Sequence, residues 1–211
     1  MVDGARITVI AGVNGAGKSS VAGAALRQLG GEYFNPDEAT RRFLTVSPSM
    51  SAEEANSRAW AEGRRRLEEA IRSRQDYAFE TTLGGSTMTR LLFEALGEGL
   101  DVAVFFVGLG NAELHLARIA SRVAAGGHAI AEAKVRERYI SSIKNLVSLA
   151  PYLSELRVFD NSKDADPKTG HRPEPQELLY ASAGNLVRSL ELADCPDWAK
   201  PVLMVLLRPR A

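Results

Sequence analysis

Several things are scarce in this 211-residue chain, and each scarcity excludes a class of protein. Cysteine is limited to Cys195, so no disulfide can form within the chain. The N-terminus has no basic segment leading into an apolar core of the secretory type, and together these features give the expectation of a cytoplasmic protein. Long apolar runs are missing too. The nearest candidate, "PVLMVLLRPRA" at the C-terminus, is far short of the roughly 18 residues that a membrane helix requires. Nor is there an excess of one charge: 26 basic residues balance 26 acidic ones, so no overall field would draw the chain to nucleic acid or an anionic membrane. Any anion is therefore expected to be recognised by local groups. Internal repeats and low-complexity linkers are absent, and with 45% hydrophobic residues the chain is expected to form one domain over residues 1–211.

What is present is concentrated near the start. "VIAGVNGAGKSS", Val9 to Ser20, follows an apolar run with three glycines and a lysine. Glycine weakens both helix and strand, so its density points to a special backbone shape or a ligand. Gly12, Gly17, Lys18 and Ser19 match G-x-x-x-x-G-K-[ST], between a strand and the start of a helix. Such a loop turns its N–H groups around phosphate oxygens, the helix adds its positive end, the lysine neutralises the outer phosphates and the serine hydroxyl ligates Mg²⁺. The candidate nucleotide-binding residues are Gly12, Asn14, Gly15, Ala16, Gly17, Lys18, Ser19 and Ser20, with Ser19 the candidate metal ligand.

Short β-rich runs alternate with longer helical ones. Strands are expected at Arg6–Ala11, Glu32–Asn35, Tyr77–Thr81, Asp101–Gly108 and Glu155–Asp160, with helices at Lys18–Leu29, Ala52–Ser73 and Thr87–Gly97. This alternation predicts an α/β fold: a doubly wound, mainly parallel, five-stranded sheet of the P-loop NTPase kind, with ligands beyond the carboxyl ends of the strands. Residues 112–150 are too long for a simple crossover and read as a helical hairpin, broken at "GGH", that forms a lid. His128 in that break is a candidate to cap or brace it. Residues 162–175 read as a surface loop or hairpin. Residues 176–211 read as a C-terminal helical segment that packs Trp198 on the core.

Two familiar alternatives lack their signatures. The guanine-reading N-K-x-D of GTPases is absent, since "NSKD" has its lysine displaced by one, and the fourth strand ends in "VGLG" without the acid of a motor ATPase. Acids do occur at two other strand ends. Asp37 in "YFNPDEATRRF" and Glu80 in "YAFETTLGG" would both face the γ-phosphate, where one carboxylate accepts or orients an acceptor proton and the other holds metal or acceptor. Asp37 is the candidate base. "NPD" also reads as a helix start, with Asn35 as cap, Pro36 at the first position and Asp37 serving only the dipole. Glu80 also fits as the partner of a structural cation. Thr81 and Thr82 are candidates to bond substrate or backbone, and Gly84–Gly85 to let a substrate approach. In the lid, Arg118 and Arg122 share one face, and Lys134 and Arg138 another. Arg122 and Arg138 are the candidates to stabilise transferring phosphate oxygens, Arg118 a candidate substrate contact, although Glu113, Glu132 and Glu137 offer them ordinary ion pairs. The "GRRRLEE" run is expected to be a solvated helix face.

Taken in order, "AGVNGAGKSS", "YFNPDEA", "FETTL", "RIASRVAAGGHAIAEAKVRERYISSIKNL" and "VFDNS" resemble the zeta-toxin family of P-loop kinases, especially its chromosomal branch. The resemblance spans most of residues 6–162. It implies transfer of the ATP γ-phosphate to a small acceptor, for studied zeta toxins the 3′-hydroxyl of a UDP-N-acetylamino sugar. By the same resemblance Lys18 and Ser19 take phosphate and metal roles, Asp37 the hydroxyl-activating acid, Glu80 the acid on the adjacent strand, Arg122 and Arg138 the closing basic residues, and Asn161 a place near adenine. The cofactors implied are ATP and Mg²⁺, and the partners a small-molecule acceptor and an antitoxin-like protein. A kinase for another metabolite or antibiotic, and a non-catalytic ATP-sensing interaction protein, stand as alternatives.

Overall fold

The structure, a computed structural model, describes residues 4–21, 32–127, 129–163 and 173–208. Its centre is a six-stranded sheet in the order β2-β1-β3-β4-β5-β6. The strands are β1 (Arg6–Ala11), β2 (Tyr77–Thr81), β3 (Asp101–Gly108), β4 (Glu155–Asp160), β5 (Gln176–Ser182) and β6 (Asn185–Ser189). The pairs β1/β2, β1/β3 and β3/β4 are parallel, whereas β5 and β6 run antiparallel. Strands β1 and β3 read as nearly unbroken apolar runs because they are covered on both faces, and Ile7, Val9, Val102 and Val104 have no exposed surface. The chain leaves β1 towards β2 on one side and then returns to β3 on the other. That reversal puts a crevice beyond the carboxyl end of β1, the site at which ligands bind in open α/β sheets.

Helix α1 begins at Lys18 and is described as far as residue 21; the remainder of the expected Lys18–Leu29 helix lies outside the described residues, as do His128 and most of the expected 162–175 loop. The other helices are α2 (Pro36–Val46), α3 (Ala52–Ser73), α4 (Ser86–Gly97), α5 (Ala112–Ala124), α6 (Glu132–Leu149) and α7 (Lys200–Leu206). Helix α3 is a clear case of local sequence logic. The Ser51 side chain accepts from Glu54 N at the start, and Ala55, Ala59, Gly63, Leu67, Ala70 and Ile71 form the buried stripe. The charged residues of the "GRRRLEE" run lie on its outer side, where Arg64 and Arg66, like Arg72 beyond the run, pair with acids one helical turn away. Among the described residues no helix is long and apolar enough to cross a membrane.

Three expectations are corrected here. The sheet has six strands, not five. The expected strand Glu32–Asn35 contracts to one parallel bridge, Phe34 to Phe79, because Pro36 opens α2 at once and leaves no residue to extend the ladder. Residues 176–189 form the β5–β6 hairpin rather than a helix. Ala183 and Gly184 both take positive φ, 48° and 67°, as a two-residue hairpin turn requires. Leu178, Leu179 and Ala181 are buried against the core, while Glu177 is paired with Arg157 and Arg188 across the strands. Residues 112–150 do fold as two helices, but α6 is also the crossover into β4: Leu146 and Leu149 are part of the main core.

Trp198 packs as expected. Its ring lies 5.9 Å from that of Phe106, and its indole N–H donates to Asp160 Oδ2 at 2.9 Å. Gly108 makes this possible, since a Cβ there would sit 2.4 Å from Trp198 Cη2. Gly108→Ala is therefore expected to overpack the site by about 1–3 kcal/mol. In thermal unfolding, where each kcal/mol is worth roughly 2–4 °C for a chain of this size, the variant should melt several degrees below wild type; unchanged melting would contradict the packing described.

Candidate active site

The loop after β1 turns sharply because Gly12, Gly15 and Gly17 all adopt positive φ. All three also admit close neighbours: a Cβ on Gly12 would lie 2.1 Å from Val107 O, one on Gly15 2.9 Å from His115 O, and one on Gly17 2.5 Å from Asn161 Nδ2. The loop thus passes between β3 and the segment after β4. Asn161, buried, donates to Ala16 O at 2.8 Å and fixes the loop from below. Lys18 opens α1 and is 7% exposed; its ammonium donates to Val13 O and lies 3.4 Å from Glu80 Oε1.

Glu80 is the chemical centre of the crevice. It stands opposite Ile10 near the carboxyl end of β2, 8% exposed. A buried carboxylate needs donors. Besides Lys18, Ser19 Oγ donates to Glu80 Oε2 at 2.8 Å and Asn35 Nδ2 donates to it at 3.3 Å. Asn35 arrives there because the Phe34–Phe79 bridge, with Phe34 N on Ala78 O and Glu80 N on Phe34 O, lays its segment beside β2. The Asn35 side-chain oxygen Oδ1 also caps α2, accepting from Asp37 N and Glu38 N. The capping role of "NPD" is therefore real, and it brings Asp37 to the same crevice.

Asp37 and Arg122 meet across this crevice, Oδ2 to Nη1 at 3.7 Å, both partly solvated. Helix α5 lies over the loop and spreads its basic side chains: Arg122 reaches α2, while Arg118 Nη2 donates to Lys163 O on the side of β4. Arg138 on α6 is more enclosed. Its Nη1 donates to Asn14 Oδ1 at 2.8 Å, and burial pushes its guanidinium below the usual value, against the opposing pull of Glu137 and Asp37. Arg136 points elsewhere and pairs with Glu113 and Glu132. Thr81 and Thr82 use their hydroxyls as acceptors for Leu83 N and Gly84 N, which shapes the turn after β2. Gly84 admits Arg138, whose Cγ would be 2.9 Å from an added Cβ. Leu83, fully buried, holds a positive φ of 55° while its carbonyl accepts from Asn145 Nδ2 on α6.

Three contributors escaped the sequence reading: Asn35 as a donor to Glu80, Asn145, and His115. His115 had a signal, because it shares the helical spacing of Ala112 and Ile119, the other buried residues of α5. Its Nδ1 lies 2.9 Å from Asn14 O; a carbonyl only accepts, so Nδ1 carries the proton. Asn14 is consequently held twice, by α5 through its carbonyl and by α6 through its side chain.

The oxygen set suits a hard cation. Ser19 Oγ and a Glu80 carboxylate oxygen lie together, and no group of three or more His, Cys, Asp or Glu exists among the described residues to form a cage made by protein alone. Mg²⁺ bound with nucleotide takes one or two protein oxygens and completes its shell with phosphates and water, so these residues fit it.

Burial lowers the His115 pKa to about 4. Since the unfolded value is near 6.5, the unfolded chain binds a proton first as pH falls. The stability is fully present above pH 6.5 and is lost as pH falls towards 4, on the order of 3 kcal/mol in all. Melting curves recorded from pH 7.5 to 4 should show this loss for wild type and a flatter dependence for His115→Gln, which keeps a neutral donor; equal slopes would contradict the assignment.

The matching family and similar folds can now be set beside this geometry. The Zeta toxin family profile matches residues 5–184. An uncharacterized protein of Haemophilus influenzae (strain ATCC 51907 / DSM 11121 / KW20 / Rd) is 37% identical over 70 residues, 33% of this chain and 50% of that protein, so the chain matches about half the length of this curated relative. Among solved structures, the AvrRxo1-ORF1:AvrRxo1-ORF2 complex with sulphate ions aligns with a TM-score of 0.65 at 14% identity, over 97% of this chain and 64% of the other. The same complex with ATP gives 0.63, at the same identity and coverage. The PezAT chromosomal toxin–antitoxin system of Streptococcus pneumoniae gives 0.54 at 12% identity, over 76% of this chain and 68% of that one. At such identities the structural likeness concerns the fold, a P-loop NTPase fold, while the profile covers most of the sequence: the chain belongs to the Zeta toxin family.

Proposed function

We propose that the protein is an ATP-dependent kinase that transfers the γ-phosphate of ATP to a hydroxyl of a small acceptor. The observation that carries this reading is the gathering of Lys18 and Ser19 on the buried carboxylate of Glu80, with Asp37 on the neighbouring helix start. An ATP sensor would need the loop and its lysine; it would have no use for a second, solvated carboxylate facing an arginine across the crevice.

In this reading the loop N–H groups and Lys18 grip the phosphates, and Asn161 braces the loop near the adenine end. Ser19, with Glu80 nearby, would hold Mg²⁺, which when bound would supply positive charge to the phosphate oxygens. Asp37 accepts the acceptor's proton while the hydroxyl oxygen bonds to the γ-phosphorus. The bond from that phosphorus to the bridging oxygen breaks, and ADP leaves with the electron pair. Arg122 then has two partners in turn: Asp37 before the reaction and the transferring oxygens during it. Arg138, released from Asn14, would join it, so that α5 and α6 act as the lid over residues 112–150 and keep water from the phosphate. Thr81, Thr82 and Arg118 are proposed acceptor contacts at the rim.

For the acceptor we favour a UDP-N-acetylamino sugar, phosphorylated on its 3′-hydroxyl, on the strength of family membership and the ordered motifs. A neutralising antitoxin-like partner is proposed on the same basis, supported by the PezAT toxin–antitoxin system and the two-component AvrRxo1 complex among similar folds. The test is incubation with ATP, Mg²⁺ and a panel of UDP-sugars and other hydroxyl metabolites, each read for added phosphate by mass spectrometry. Asp37→Asn should reduce transfer by about 10²–10⁴-fold while ATP binding stays near wild type. Lys18→Ala should lose both. Tight ATP binding without any phosphorylated acceptor, unaffected by Asp37→Asn, would instead support an ATP-sensing protein.

A further inference from the structure

We infer that Asn35 is a positioning residue that joins the helix carrying Asp37 to the phosphate and metal cradle through a single side chain; the inference rests on the kinase reading above. Its amide is buried, with 6% exposure, and both ends are used. Oδ1 accepts from Asp37 N at 2.9 Å and Glu38 N at 3.3 Å. Nδ2 donates to Glu80 Oε2 at 3.3 Å and lies 3.4 Å from Ser19 Oγ, whose own proton goes to Glu80. The orientation of the amide is fixed by chemistry. Backbone N–H groups only donate, so the oxygen must face α2, and the NH₂ is left to face Ser19 and Glu80.

A capping role alone does not explain asparagine here. Serine and aspartate cap helices about as well. Only asparagine offers an acceptor for the helix at one end and a donor for a carboxylate at the other. Serine is too short for the second bond, and aspartate would place an anion against Glu80. With asparagine, the Ser19 and Glu80 oxygens are held side by side as a pair ready for a divalent cation, and the start of α2 is held in register with them. The distance between the base and the phosphate cradle is then set by this side chain together with the backbone bond from Glu80 N to Phe34 O.

The experiment measures binding of N-methylanthraniloyl-ATP with and without Mg²⁺ by wild type, Asn35→Ser, Asn35→Asp and Lys18→Ala, with melting temperatures alongside. If Asn35 positions the oxygen pair, the two substitutions shift the Mg²⁺ enhancement of binding in opposite directions. Asn35→Ser should lower it by about two- to tenfold, the size of one lost hydrogen bond. Asn35→Asp should raise it, because the added anion repels Glu80 until a cation lies between them. Both variants retain the cap; Asn35→Ser should melt close to wild type, and Asn35→Asp below it until Mg²⁺ is added; should one fail to fold, the other decides. A Mg²⁺ enhancement equal to that of wild type in the folded variants would reduce Asn35 to a helix cap and overturn the inference. Absence of nucleotide binding by wild type, or undiminished binding by Lys18→Ala, would instead overturn the kinase reading itself and this inference with it.

Discussion

A carboxylate removed from water must be surrounded by donors, and the arrangement around Glu80 follows from that need. An unpaired charge at this depth costs several kcal/mol, and breaking a buried pair by removing one partner costs about 3–5 kcal/mol. Lys18 and Ser19, adjacent at the start of α1, and Asn35 from the sheet edge therefore converge on one point. These three residues come from two segments that the hydrophobic core alone would not bring to a common point. In the proposed kinase the same lysine, hydroxyl and carboxylate would meet a triphosphate and its cation, so electrostatic satisfaction of the folded state and ligand chemistry would use one set of atoms.

The loop is held on the opposite side by helices rather than by the sheet. Asn14 is bonded by His115 from α5 and by Arg138 from α6, and α6 in turn bonds the carbonyl of Leu83 through Asn145. Leu83 keeps a left-handed backbone that a bulky side chain adopts only under constraint, worth about 1–3 kcal/mol of strain. Its neighbours explain why it persists: Thr81 accepts from its N–H, and the side chain has no exposed surface. Helix α6 is thus in contact with both sides of the crevice, the loop after β1 and the turn after β2.

Most of this was legible in the sequence where local rules and burial agree. The strands Arg6–Ala11, Tyr77–Thr81, Asp101–Gly108 and Glu155–Asp160, and the helix Ala52–Ser73, have the bounds that their apolar patterns and caps suggest. The turn after β1 was legible because Gly12, Gly15 and Gly17 stand where the backbone takes positive φ. The hairpin at residues 176–189 was not, since Glu177, Leu178, Leu179 and Ala181 favour helix by composition and only pairing with β4 makes them a strand. For Asn35 the sequence displayed one bond, to the helix that follows it, and hid the other. A donor meeting Glu80, 45 residues away, is a property of the folded chain.

The fastening of the loop from below affects how the protein comes into being. Asn161 reaches Ala16 over 145 residues, and the segment that carries Asn161 is itself anchored through Asp160 to Trp198. During synthesis, then, the glycine loop emerges early but cannot be completed until nearly two hundred residues have left the ribosome. Contacts of such separation are slow to close. On the kinase reading, nucleotide would be gripped by the finished chain rather than a half-made one, and its binding energy would stabilise that finished state.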